Sequence, residues 1–84
     1  MNLLFEPRGW KDYQYFLQTD KKLLKKINDL IQDILRHPFT GIGKPEPLKH
    51  NLKGSWSRRI EQEHRLVYHV KDETVFITQC RFHY

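Results

Sequence analysis

The 84-residue sequence contains no alanine, a single cysteine and a single methionine. Cys80 alone cannot close an internal disulfide, and no Cys-x-x-Cys pair or Cys/His ladder offers a zinc site. No early apolar run has the form of a secretory signal, and none approaches the roughly 20 residues of a membrane helix. A soluble protein of a reducing compartment is expected. Repeats, low-complexity tracts and linkers are also missing, so residues 1–84 read as one domain. A domain this small buries only about 60% of the surface its unfolded chain exposes. Little is left over for walling in a deep substrate pocket.

What is present is large and charged. Hydrophobic residues make up 38% of the chain and aromatics 13%, enough for one core of bulky side chains and too much for a disordered chain. Fifteen Lys and Arg stand against ten Asp and Glu, a formal net charge of +5. The excess is uneven: residues 1–35 carry six basic and five acidic groups, residues 36–84 nine and five. The second half of the chain is therefore where an anion should bind, whether a nucleic acid or an acidic protein.

The segment Asn2–Glu6 reads as a short strand stopped by Pro7 and Gly9. Trp10, Tyr13, Phe16 and Leu17 recur at helical spacing. Asp20 is a good N-cap for a second helix, along which Leu23, Leu24, Ile27, Leu30, Ile31, Ile34 and Leu35 form a continuous apolar stripe. From His37 to His50 no period holds, and Pro38, Gly41, Gly43, Pro45 and Pro47 forbid a helix. A loop of that length in a small domain is often functional. Ser55–Glu61, His64–Val70 and Thr74–Tyr84 then read as three strands of an antiparallel meander. The order β-α-α-β-β-β predicts an α+β domain, with both helices on one face of an antiparallel sheet and the other face free for polar groups.

That free face should hold the chemistry. Arg59, Arg65 and His83 fall on neighbouring strands with Trp56, Phe82 and Tyr84 nearby, a combination suited to RNA. Arg58 and Arg81 are explained well enough as charges guarding strand edges. Residue types alone do not choose between a nucleic acid and an acidic protein partner. Cutting RNA without a metal needs a base for the 2′-hydroxyl, an acid for the leaving 5′-oxygen, and cations on the phosphorane. Glu46, held between two prolines, would suit the base, although its position alone favours a solvated loop carboxylate. His83 is a reasonable acid, since an imidazole is tuned by neighbouring charge. His37, His50, His64 and His69 read as surface or turn histidines, and Cys80 as a core residue of the last strand.

Taken together, Gly43-Lys44-Pro45-Glu46-Pro47-Leu48-Lys49, Trp56-Ser57-Arg58-Arg59-Ile60, Glu63-His64-Arg65-Leu66-Val67-Tyr68 and Cys80-Arg81-Phe82-His83-Tyr84 resemble the YoeB toxins of the RelE superfamily. The resemblance runs the length of the chain. It implies the toxin of a type II toxin–antitoxin system in the bacterial cytoplasm, cutting mRNA in the ribosomal A site without metal or cofactor. By motif position, Glu46 is the implied general base, His83 the general acid and Arg65 the transition-state cation. Lys49 and Arg59 are implied to bind the phosphate, and Tyr84 to orient the substrate. The implied partners are a YefM-like antitoxin with an acidic, flexible tail, the 70S ribosome with its mRNA, operator DNA through the antitoxin complex, and a second copy in a homodimer. Two other readings stay open: a gyrase inhibitor like the related ParE toxins, and a non-catalytic basic module for an acidic partner.

Overall fold

A computed structural model describes residues 1–84. The order is β1 (Asn2–Phe5), α1 (Pro7–Thr19), α2 (Lys21–Arg36), β2 (Glu46–Pro47), a 3-10 turn (His50–Leu52), β3 (Trp56–Arg59), β4 (Arg65–Lys71) and β5 (Thr74–Gln79). The strands form one sheet ordered β1-β5-β4-β3-β2. Both helices contribute to a core built against one face of it. Phe16, Ile27, Leu30, Ile31 and Ile34 meet Ile60, Leu66, Tyr68, Val75 and Ile77 there. The expected α+β architecture is the one the chain adopts, with a difference at the sheet edge. β1 lies parallel to β5, Asn2 opposite Thr74 and Phe5 opposite Ile77, so the sheet is mixed. A strand followed by two helices has crossed over before its partner arrives, and such a crossover permits parallel pairing.

The helices follow from local chemistry. The Asp20 carboxylate accepts the Leu23 N–H at 3.1 Å, as expected of the cap of α2. The α2 stripe buries Ile27, Leu30, Ile31 and Ile34. Pro7 and Gly9, expected to separate strand from helix, instead form the first turn of α1. Proline suits that position because its missing N–H has no intrahelical partner there. Gly9 is needed for a different reason: a Cβ at this position would lie 2.3 Å from the Ile77 carbonyl oxygen of β5. Gly9→Ala should therefore push α1 off the sheet and cost about 1–3 kcal/mol, read as a lowered urea midpoint.

Arg58 overturns the edge-charge expectation. Its side chain is fully buried, and all five of its N–H groups are used. Nε donates to Tyr68 Oη at 3.2 Å, Nη1 to Asp33 Oδ2 and the Ile42 carbonyl, and Nη2 to the His37 and Thr40 carbonyls. Tyr68 Oη donates in turn to the Pro38 carbonyl at 2.6 Å. The irregular segment after α2 is thus held from within by one guanidinium. The Arg59 N–H adds a bond to the Gly43 carbonyl at 2.6 Å. With its entry fixed, the chain sets Glu46 opposite Ser57, so the loop expected over 37–50 contains a two-residue strand.

Candidate active site

Alternation along the strands sorts residues between the two faces. Trp56, Arg58, Leu66 and Tyr68 belong to the helix side, where Trp56 packs on the core with its ring 4.9 Å from that of Phe39. The placement of Trp56 on the basic face is therefore corrected by register. Glu46, Ser57, Arg59, Arg65 and Val67 share the opposite face. No helix covers it, yet Ser57 and Val67 are each only 2% exposed. After β5 the chain turns back across this face: Phe82 accepts the Arg65 N–H at 3.0 Å, and Tyr84 Oη donates to Glu46 Oε1 at 3.3 Å.

The returning segment closes a cleft of about 190 Å³. Five of the six residues singled out from the sequence line it: Glu46, Arg59, Arg65, His83 and Tyr84. Lys44 and Ser57 complete the wall. Neither was anticipated; Lys44 carried a signal as the cation two residues before Glu46, and Ser57 carried none. Lys49, the sixth, does not face this cleft and lines a neighbouring concavity instead. Phe82 does not line the cleft either, and its ring packs against the His64 imidazole and the Arg81 guanidinium.

Arg59 and Arg65 are direct cross-strand partners. Like charges in that position repel, and the fold offsets this by spreading one of them. Arg65 Nη1 donates to the carbonyls of Glu61, Gln62 and His64 at 2.6–3.1 Å. Its hydrogen bonds all leave from that nitrogen, so Nε and Nη2 remain for a ligand. Two guanidiniums side by side beside Lys44 make a seat for a phosphate. A carboxylate and an imidazole in the same cleft supply a proton acceptor and a proton donor. His83 Nε2 lies 3.3 Å from the Gln62 carbonyl.

The C-terminal segment is held by His64. Its side chain is 11% exposed, packed edge-on against Phe16 at 5.1 Å, and Nδ1 accepts the Phe82 N–H at 2.8 Å. His64 is therefore neither a free surface nor a turn histidine. The bond supports Phe82 at φ 65°, a left-handed conformation rarely taken by a bulky residue, from which the chain turns toward Glu46. Because Nδ1 accepts, the proton of the neutral ring sits on Nε2. That nitrogen turns a hydrogen toward Glu61 and Glu63, each 3.9 Å away. These three residues do cluster, but with the tail bound, Nε2 has no lone pair for a metal. His64→Leu, which keeps apolar bulk and loses the acceptor, should speed amide exchange at Phe82 about fivefold or more. His64→Asn, whose Oδ1 can replace Nδ1, should restore the protection.

Cys80 lies just beyond β5 and is fully buried, as expected of a core residue; burial pushes its thiol up to about 12. Its N–H donates to Asp12 Oδ2 at 3.1 Å, which fixes the point where the tail departs.

Comparison with known proteins bears on the family and the fold. Residues 5–84 match the family model described as the YoeB-like toxin of bacterial type II toxin–antitoxin systems. Toxin YoeB of Escherichia coli K12 is 58% identical over 84 residues, all of both chains. Among solved structures, the YoeB/ParE toxin from Agrobacterium tumefaciens superposes with a TM-score of 0.97 at 49% identity, again over all of both chains. Staphylococcus aureus YoeB is 53% identical over all of this chain and 98% of its own. It superposes at 0.91 in a heterotetrameric YoeB–YefM complex and at 0.92 in a YoeB dimer. The chain belongs to the YoeB family of toxins from bacterial type II toxin–antitoxin systems.

Proposed function

We propose that this toxin is a ribosome-dependent endoribonuclease that cuts mRNA in the decoding site by metal-independent acid–base catalysis. The observation that carries the reading is the Arg59–Arg65 pair, two like charges set opposite one another in a cleft that also holds Glu46 and His83. Glu46 takes the proton of a ribose 2′-hydroxyl, and the 2′-oxygen attacks the adjacent phosphorus. The P–O5′ bond breaks as His83, in its protonated form, gives its proton to the leaving oxygen. Arg65 and Arg59 balance the charge that builds on the phosphorane. The products are a 2′,3′-cyclic phosphate and a 5′-hydroxyl. Tyr84, bonded to Glu46, orients the carboxylate and the substrate, and Lys49 meets a phosphate further along the strand.

Dependence on the ribosome fits the openness of the site. Glu46, Arg59, His83 and Tyr84 are all exposed, and a cleft of about 190 Å³ cannot enclose a nucleotide chain. Another body must hold the message while the toxin brings acid, base and cations. Restraint in the producing cell would come from a YefM-like antitoxin, as in the S. aureus complex. Its acidic tail would fold onto the positive face, and operator DNA would be met through that complex. A homodimer, as in the S. aureus YoeB dimer, is the further assembly proposed. No helix is long and apolar enough to cross a membrane, which suits a toxin working on cytoplasmic ribosomes. The test is to incubate the protein with programmed ribosomes and map mRNA 5′ ends. New ends in the decoding-site codon that carry a 5′-hydroxyl support the reading. Intact message together with blocked gyrase supercoiling would assign the ParE-like activity instead; intact message alone would leave a binding module.

A further inference from the structure

A phosphodiester carries a nucleoside on each side, and the cleft accounts only for the phosphate between them. Beside it lies a second concavity of about 400 Å³, within the roughly 300–1,000 Å³ of ordinary small-molecule sites. Glu46 and Tyr84 form the wall common to both spaces, whereas His83 faces only the smaller one. We infer that this concavity is the subsite for the nucleoside upstream of the cut, the one whose 2′-hydroxyl is attacked. The inference rests on the nuclease reading above and adds a direction to it. The base must touch the attacking 2′-oxygen, so the nucleoside bearing that oxygen lies on the Glu46 side. The acid must touch the leaving 5′-oxygen, so the downstream nucleoside lies on the His83 side, away from the concavity.

The lining suits a nucleobase. Pro47, Leu48 and Leu52 supply an apolar floor, Leu48 being 8% exposed. His50 and Asn51 bring ring nitrogens and an amide to the rim, groups able to read a base edge by hydrogen bonds. The Tyr84 ring offers a surface on which a base can stack. His50 is held at φ 59°, in the left-handed region; the turn keeps a histidine where glycine would be more comfortable.

Fragment-end sequencing tests this. Ribosomes are programmed with an mRNA pool randomised across the decoding-site codon, and base frequencies are scored on each side of the cut. The variants are His50→Gly, which removes the imidazole at a backbone position glycine prefers, and Asn51→Leu; both positions are exposed. Each should shift the base ratios at the upstream nucleotide by about tenfold, leaving the downstream ratios unchanged. Unchanged ratios on both sides, or a shift confined to the downstream nucleotide, would overturn the assignment while leaving the nuclease reading intact. If the native protein does not cut, the nuclease reading fails first and the subsite falls with it.

Discussion

Message cleavage on programmed ribosomes should fall by about 10²–10⁴-fold when either Glu46 or His83 is replaced by glutamine, the usual contribution of a positioned acid or base. Glutamine keeps the length and polarity of both side chains and cannot exchange the proton at either step. Both residues are exposed, so the unfolding free energy read from urea titration should stay within about 0.5 kcal/mol of the native protein's. The double variant is expected to be much less than multiplicatively impaired, because groups that act in one concerted proton relay fail together. Arg65→Lys should behave differently from both. Lysine keeps the charge but has fewer donors in a different geometry, so it cannot bond the Glu61, Gln62 and His64 carbonyls and face a phosphate at once. Full activity in the Glu46 and His83 single variants would remove acid–base catalysis from the mechanism. Loss of activity together with loss of the native circular dichroism spectrum would mean the substitutions had damaged the fold instead.

The sequence shows those two residues as usable groups and says nothing of their meeting. Glu46 lies in a stretch without periodicity, and a single residue between two prolines is too little to read as a strand. Only its pairing with Ser57 makes it part of the sheet. The second helix is the opposite case. Its seven-residue stripe and Asp20 cap are local features, and local features are what periodicity measures. The first helix is legible in its middle and not at its start, because Gly9 answers to a carbonyl on β5 rather than to its own helix. Trp56 and Arg58 show a further limit. Alternation through Trp56-Ser57-Arg58-Arg59 puts a tryptophan and an arginine on one face, and hydropathy alone assigns that face wrongly. The inward arginine is revealed only by partners up to 25 residues away. The tail is similar: His64 looks like a turn residue until Phe82 returns to it.

Arg58→Met should destabilise the fold by about 3–5 kcal/mol, the usual result of removing one member of a buried ion pair. Methionine fills much of the volume but returns nothing to the carbonyls of His37, Thr40 and Ile42 or to the Asp33 carboxylate. Small domains have only about 5–15 kcal/mol in total, so a measurable unfolded population in buffer is expected. The loss should also reach the cleft. The segment held by Arg58 leads into Gly43 and then Glu46, so a variant that remains folded should cut message more slowly, although residue 58 faces the other side of the sheet. The same pair sets an acid limit. The Arg58 guanidinium, by hydrogen bonding, holds the Asp33 carboxyl below its ordinary 3.8, against the opposing effect of burial. The unfolded chain therefore takes up this proton more readily than the folded one. The contribution is fully present above the ordinary value and is lost as pH falls through the lower folded value. Urea midpoints measured from neutrality into acid should hold level until about pH 4 and then drop. Arg58→Met should shrink the part of that drop due to Asp33, since its carboxyl would no longer be held down. An acid limb equally steep in native and variant proteins would place the titrating group elsewhere.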